Sequence, residues 1–443
     1  MIRAILALVY ATLKHAWSTR AIIWLVAWAA VPAVLLPMTL QADRTAAGAH
    51  GMILTYTPIA LFAVLLVGSI WLSAYTLASE RLHLQFSMLR TKPVYGAAIW
   101  LGKWLGVLII IAITLTISVA LFFATMIIRF QGQPIATKPV WTISPPDETV
   151  ILEQARQMQQ NMMLQADPSD HHNIPTLQQW VNRLRQQKYR VAPGSSTSWK
   201  IPLTLHNNTA QAMQFQWRLD PMRRQPVAGT WTLLTPGATE PLAIYPVSGL
   251  LDGTHTISLP QHNIPAATPY LIITFESSPD NEPQIFFDHQ NPVRFKQQSG
   301  IFLANLIRAT MLILALCAAT SALTLLFSAF LSFPVTVFAA HGVLVALLVP
   351  AIAGQDTPHI RHSHGHHHGH TETWFLTHAE HFLNALYRLT HSLRATLPFR
   401  RLSENIHISF QEHASVICIL ILLLPMLCAI LAHLKIMREE VLS

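Results

Sequence analysis

Six long apolar stretches, at residues 21–40, 52–78, 97–128, 301–330, 335–352 and 414–434, divide three and three around a polar block at 129–300. A run of about 20 mainly apolar residues crosses the hydrocarbon core of a bilayer as a helix, because only a helix or a closed barrel satisfies its own backbone hydrogen bonds in lipid. The layout predicts an α-helical polytopic membrane protein with six transmembrane helices (3+3). A mainly β, extracytoplasmic domain of sandwich or jelly-roll type is expected between the third and fourth. Composition agrees: only 11% of the 443 residues are charged, against about 25% in soluble domains.

A formal charge of +8 would suggest nucleic acid in a soluble chain. Here charge is sparse, and Lys and Arg beside spans attract anionic headgroups, so membrane lipids and not nucleic acid are the expected partners. The positive-inside bias sets the orientation. Arg3, Lys14 and Arg20 precede the first span and Arg81, Arg90, Lys92 and Lys103 flank the turn after the second, against Arg44 alone in the first loop. Both termini are then cytoplasmic and the chain sits in the cytoplasmic (inner) membrane, with 129–300 and 354–412 outside. Residues 1–19 read as an amphipathic interfacial helix, since Ile2, Ile5, Leu6, Val9, Leu13 and Trp17 follow helical spacing beside Arg3 and Lys14.

Segments 20–128 and 301–353 hold spans one to three and four to five, and 413–443 holds span six and the tail. In the polar block, residues 148–190 carry Val150, Leu152, Ala155, Met158 and Met162, then Leu177, Trp180, Val181, Leu184 and Tyr189. The breaker run Asp167-Pro168-Ser169-Asp170 separates the two sets, which predicts two short helices. From 199 to 296, runs at 199–206, 214–219, 229–234, 255–259 and 270–276 are rich in Thr, Ile, Trp and Phe and bounded by turn residues, the pattern of an antiparallel sandwich. The polar block has no cysteine and is not a disulfide scaffold. Residues 354–412 combine a histidine-rich loop with a stripe of Phe375, Phe382, Leu386, Leu389 and Leu393, read as an interfacial or re-entrant helix.

The turn after the second stretch reads Glu80-Arg81-Leu82-His83-Leu84-Gln85-Phe86-Ser87-Met88-Leu89-Arg90-Thr91-Lys92-Pro93-Val94, and Gly102-Lys103-Trp104 opens the third. Pro93 disfavours helix at Lys92, so a short charged helix should end there. This stretch resembles the permease subunits of type-2 ABC exporters, the ABC-2 membrane family. Those proteins commonly carry Glu-Arg or Glu-Lys at the end of span two, a Leu-rich stretch, a Thr/Ser-Pro-Val/Ile turn and a Gly-Lys opening span three. Glu80, Arg81, Leu89, Pro93, Val94, Gly102 and Lys103 match. The chain departs from that pattern at His83–Phe86, where the family often has a second acid and Gly-Thr, and at Lys92, which replaces Thr or Ser.

The resemblance implies that Glu80, Arg81, Leu89, Arg90, Lys92 and Pro93 form a coupling helix docking on an ABC ATPase subunit, and that a second permease half, identical or a sister chain, completes the transporter. No phosphate-cradling Gly-x-x-x-x-Gly-Lys-Ser/Thr occurs here. This chain is then not an enzyme and holds no cofactor, ATP and Mg²⁺ belonging to the partner.

Outside that turn, Arg308 either contacts an anionic substrate or snorkels to headgroups. His341, deeper in its span, lies either on a substrate path or in a hydrogen bond between helices. His364, His366, His367, His368 and His370 could ligate zinc, copper or nickel, although a run with no fixed spacing also reads as a flexible loop. Pro32, Pro37, Pro350 and Pro425 interrupt spans. The 3+3 layout around a β domain is also similar to lipopolysaccharide-transport permeases. A membrane-anchored receptor or assembly scaffold is the reading from a different class.

Overall fold

The computed structural model describes residues 2–40, 46–82, 95–130, 138–144, 146–165, 175–203, 213–219, 227–238, 240–250, 253–259, 268–281, 285–287, 293–353 and 397–442. It forms two compact units, Met1–Lys138 with Ile301–Ser443, and Pro139–Gly300. In chain order the helices are α1 (Ile2–Ser18), α2 (Ala21–Thr39), α3 (Ala46–Leu82), α4 (Gly96–Arg129), α5 (Thr149–Gln165), α6 (Leu177–Lys188), α7 (Phe302–Phe330), α8 (Phe333–Ala353), α9 (Phe399–Ser403), α10 (Phe410–Cys418) and α11 (Leu424–Leu442). A π turn, Ile419–Leu423, joins the last two.

By length and composition, five helices in the described residues can cross a membrane: α2, Ala49–Ala78 within α3, α4, α7 and the Phe410–Leu434 helix. The sequence-based count is six; the remaining helix, α8, is apolar over the shorter stretch Phe333–Leu347. The chain is thus a multi-pass helical membrane protein with a β-rich insertion. Helix α7 is central and packs on α3, α4, α8 and α11. Its buried Ala309, Ala315, Ala318, Ala322 and Ala329 let neighbouring backbones come close, the packing that works in lipid, where apolar surface alone gives no drive.

Two prolines in the spans are met by specific compensation. Pro37 has no N–H for the carbonyl of Ala33, and the Thr125 hydroxyl of α4 donates to that carbonyl at 3.2 Å. One turn on, the Arg129 guanidinium donates to the carbonyls of Pro37 and Leu40 and closes the end of α2. Pro425 follows the π turn, whose wider winding lets the helix pass a residue that cannot donate.

Helix α1 forms where the sequence predicts a helix and divides its apolar residues between a covered and an exposed face. The face packed on protein is Ile5, Leu8, Val9, Thr12 and Ala16, against α4. Ile2, Leu6 and Trp17 of the expected stripe stay exposed. A helix this apolar has two usable faces, and the one bearing small residues wins the protein contact because it permits close approach.

The second unit is a β-sandwich with two helices. Its strands are β1 (Pro139–Ser144), β2 (Arg190–Val191), β3 (Ser196–Pro202), β4 (Met213–Leu219), β5 (Val227–Leu234), β6 (Ala243–Leu250), β7 (Gly253–Leu259), β8 (Tyr270–Ser277), β9 (Ile285–Phe286) and β10 (Val293–Ile301). One sheet has the order β1-β10-β4-β7, the other β3-β8-β5-β6, and β2 pairs with β9. Alternation puts Phe215, Trp217, Val293 and Phe295 of one sheet against Trp199, Trp231, Leu271, Ile273 and Phe275 of the other, all 3% exposed or less. Trp231 is the hub, with Phe215 and Phe275 each 4.7 Å away between ring centroids.

Helices α5 and α6 pack through Ile151, Ala155 and Val181. A capping box at Thr176 and Gln179 starts α6. The Glu148 carboxylate accepts from both the Arg185 guanidinium and the Tyr189 hydroxyl, the latter at 2.7 Å. Burial pulls the Glu148 pKa upward, but those donors hold it below the ordinary carboxylate value. Of the apolar residues that predict α5, Ala155 is buried while Val150, Leu152, Met158 and Met162 are exposed, and Ile151, outside that set, is covered beside Ala155.

Candidate functional site

Helix α4 starts directly after residues 83–94, and its second turn is a junction. Consecutive residues on a helix point about 100° apart, so Gly102, Lys103 and Trp104 face three directions, and each meets a different helix. Gly102 lies under Leu8 of α1, where an added Cβ would stand 2.7 Å from the Leu8 Cβ and 3.2 Å from the Ile5 carbonyl oxygen. The Lys103 ammonium donates to the Thr76 carbonyl of α3 at 3.2 Å. The Trp104 indole N–H donates to the Ala318 carbonyl of α7 at 3.0 Å.

One turn further, Gly106 repeats the close approach against Thr12 of α1. Trp100 stacks on Trp104 with ring centroids 6.3 Å apart, both nearly buried. Lys103 is 1% exposed, and an ammonium that deep in an apolar bundle persists only with partners. Glu80 lies one turn beyond Thr76 on the backbone of α3. Along α3, Ser69, Ser73 and Thr76 form a buried seam of small polar residues, and α7 carries a similar one at Ser321, Thr324 and Ser328.

The other end of α7 holds a second polar set. Asn305 donates to the Ile406 carbonyl at 2.9 Å and accepts from the Ile408 amide at 2.8 Å, so both arms of one amide clamp the strand-like segment before α10. Arg308 stands 2.6 Å from Nε2 of His407. A guanidinium only donates, so Nε2 accepts and the ring is neutral. Burial first, then the positive charge of Arg308, lowers the His407 pKa below its ordinary 6.5. Phe399 of α9 completes this end by inserting against Phe62 of α3, 5.4 Å between rings.

Of the residues singled out from sequence, Glu80 and Arg81 fall in the last turn of α3, with side chains outside the described set. Leu89, Arg90, Lys92 and Pro93 lie outside the described residues, as do His364, His366, His367, His368 and His370. Among the described residues no group of His, Cys, Asp and Glu could hold a metal ion. Arg308 pairs with His407 as above. His341 donates from Nδ1 to the Val337 carbonyl of its own helix at 2.8 Å. Sequence reasoning missed Thr76, Trp104, Asn305 and His407. The spacing Gly102-x-x-x-Gly106 was the one available signal, since small residues four apart mark a helix contact in membranes.

Comparison of the chain with protein-family models finds no matching family, and comparison with curated proteins and with solved structures finds no match.

Proposed function

We propose that this chain is the membrane subunit of an ATP-driven exporter of the ABC-2 permease type, working with a separate ATPase subunit and a second permease half. The observation that carries the reading is the junction at Gly102, Lys103 and Trp104. A rigid-body push on the turn between α3 and α4 reaches α1, α3 and α7 together, through one steric contact and two hydrogen bonds. Work from nucleotide hydrolysis delivered at Glu80–Val94 then biases the bundle between inward and outward states, a population shift driven from one end. In this reading α8 is the sixth span, both termini are cytoplasmic in the inner membrane, Pro139–Gly300 is extracytoplasmic, and ATP and Mg²⁺ sit on the partner.

The filled core of the sandwich favours a packed partner-recognition module over an open lipid duct, since Trp199, Trp231 and Phe215 occupy the space between the sheets. A receptor or scaffold reading shares that module but gives the junction no task. Purification from native membranes tests the choice. The expected result is co-purification of an ATPase, loss of the complex in the Glu80→Ala, Arg81→Ala double variant, and in Lys103→Met a retained complex whose ATP hydrolysis is no longer coupled to transport. A chain that purifies without any ATPase, from membranes lacking stimulated hydrolysis, supports the scaffold instead.

A further inference from the structure

We propose that a groove between α2 and α3 binds one anionic lipid from the membrane leaflet bordered by α1. The groove has a volume of about 970 Å³, near the top of the roughly 300–1,000 Å³ range of small-molecule sites. Its walls are apolar and aromatic: Trp24, Trp28, Val67, Trp71, Tyr75 and, from α8, Phe333. Three of the four indole- and phenol-bearing residues are more than half exposed among the described residues. On α3 the lining runs from Tyr75 back to Ala63, about 18 Å at 1.5 Å per residue. Half of a hydrocarbon core of about 30 Å is close to that length, so the groove is one leaflet deep and suits one acyl chain.

The occupant's charge follows from the end of the groove marked by Ala21 and Tyr75. His15 stacks on Tyr75 with centroids 5.7 Å apart. Arg20 directly precedes Ala21 and holds a left-handed backbone, φ 58°, at the corner where α1 turns into α2. A non-glycine residue there is uncommon and costs energy, which marks the corner as one the surrounding structure enforces. Lys14, His15 and Arg20 are exposed, and residues 1–39 contain no Asp or Glu. On α3, Glu80 and Arg81 offset each other in formal charge. A cationic corner at headgroup level above an apolar slot is complementary to an anionic phospholipid, whose phosphate accepts from the corner while its chain lies along Trp24 and Trp28.

The test uses purified full-length chain, loaded from membranes holding equal phosphatidylglycerol and phosphatidylcholine and read by native mass spectrometry. The expected result is one phosphatidylglycerol retained per chain. Arg20→Gln should lower retention about fivefold, the factor equivalent to the roughly 1 kcal/mol that one Lys or Arg contributes at an anionic surface, and Arg20→Lys should preserve it. Val67→Phe fills the slot from an exposed position without touching the cations, and should lower retention too. Equal retention of both lipids, or retention unchanged in Arg20→Gln and Val67→Phe, overturns the proposal. So does a disulfide between two copies carrying Trp28→Cys, which would make the groove a subunit contact.

Discussion

Replacing Gly106 by alanine sets two effects of opposite sign against each other. In an open helix position the change stabilises by roughly 1 kcal/mol, because alanine is the better helix former. Here the new methyl would stand 2.7 Å from the Thr12 Cβ and 2.9 Å from its Cγ2, about 1 Å inside a normal carbon contact of roughly 3.5–4.0 Å. Thr12 cannot swing away, since it is β-branched and its hydroxyl donates to the Leu8 carbonyl at 2.9 Å. Helix α1 must shift, and overpacking of this kind costs about 1–3 kcal/mol. The net expectation is destabilisation by up to about 2 kcal/mol.

The measurement is thermal unfolding in detergent followed with a thiol-reactive dye, for which Cys317 and Cys428 are buried reporters and Cys418 an exposed background. In a Thr12→Gly background the clash disappears, and Gly106→Ala should then stabilise. If Gly106→Ala raises the unfolding temperature in the otherwise unaltered chain, α1 does not pack on α4 as described and the junction reasoning fails with it.

Thr125→Val removes the donor serving the carbonyl that Pro37 leaves open and should cost about 1–3 kcal/mol, read in the same unfolding assay; Thr125→Ser should recover most of it. Glu148, with its pKa depressed, contributes stability that is complete above the unfolded value and is lost as pH falls through the folded one. The protection of amides in α5 and α6, taken relative to their intrinsic exchange at each pH, should therefore fall on acidification, and Glu148→Gln should flatten that response. His407 has the same sign, since its pKa is also lowered. The clamp on α7 should loosen as pH drops below the ordinary histidine range, seen as labelling of an Ile406→Cys variant, and His407→Gln should remove the pH dependence. Trp231→Leu empties the centre of the sandwich and should cost about 3 kcal/mol or more, comparable to other aromatic truncations in cores.

The membrane helices were legible because lipid demands apolar side chains at nearly every position of a span, as in α4 and α7. In the sandwich, β5 and β8 announce themselves by Trp and Phe alternating with Thr. Strand β6 hid behind Pro246, tolerated because β6 is the edge of its sheet. Strand β10 hid behind Arg294 and Lys296, which alternate with buried Val293 and Phe295. Faces were harder than elements. In α1 and α5 only part of the most hydrophobic stripe is covered, Ile5 and Val9 in the first and Ala155 in the second, since coverage depends on a neighbouring helix whose position no local pattern encodes. Lys103 read as one more flanking charge for the same reason. Its burial comes from α3 folding over it, and Arg308 and His407, far apart in the chain, meet only after the bundle forms.

Because Gly102, Lys103 and Trp104 are anchored to three separate partners, α4 has a fixed rotational phase at its beginning. Inserting one residue between Trp100 and Gly102 would turn the buried Gly96, Ala98, Ile99 and Trp100 about 100° relative to those anchors, whereas length added between residues 83 and 94 lies outside the helix. Natural or engineered variation in length should therefore concentrate upstream of Tyr95 and be nearly absent over the next two helical turns.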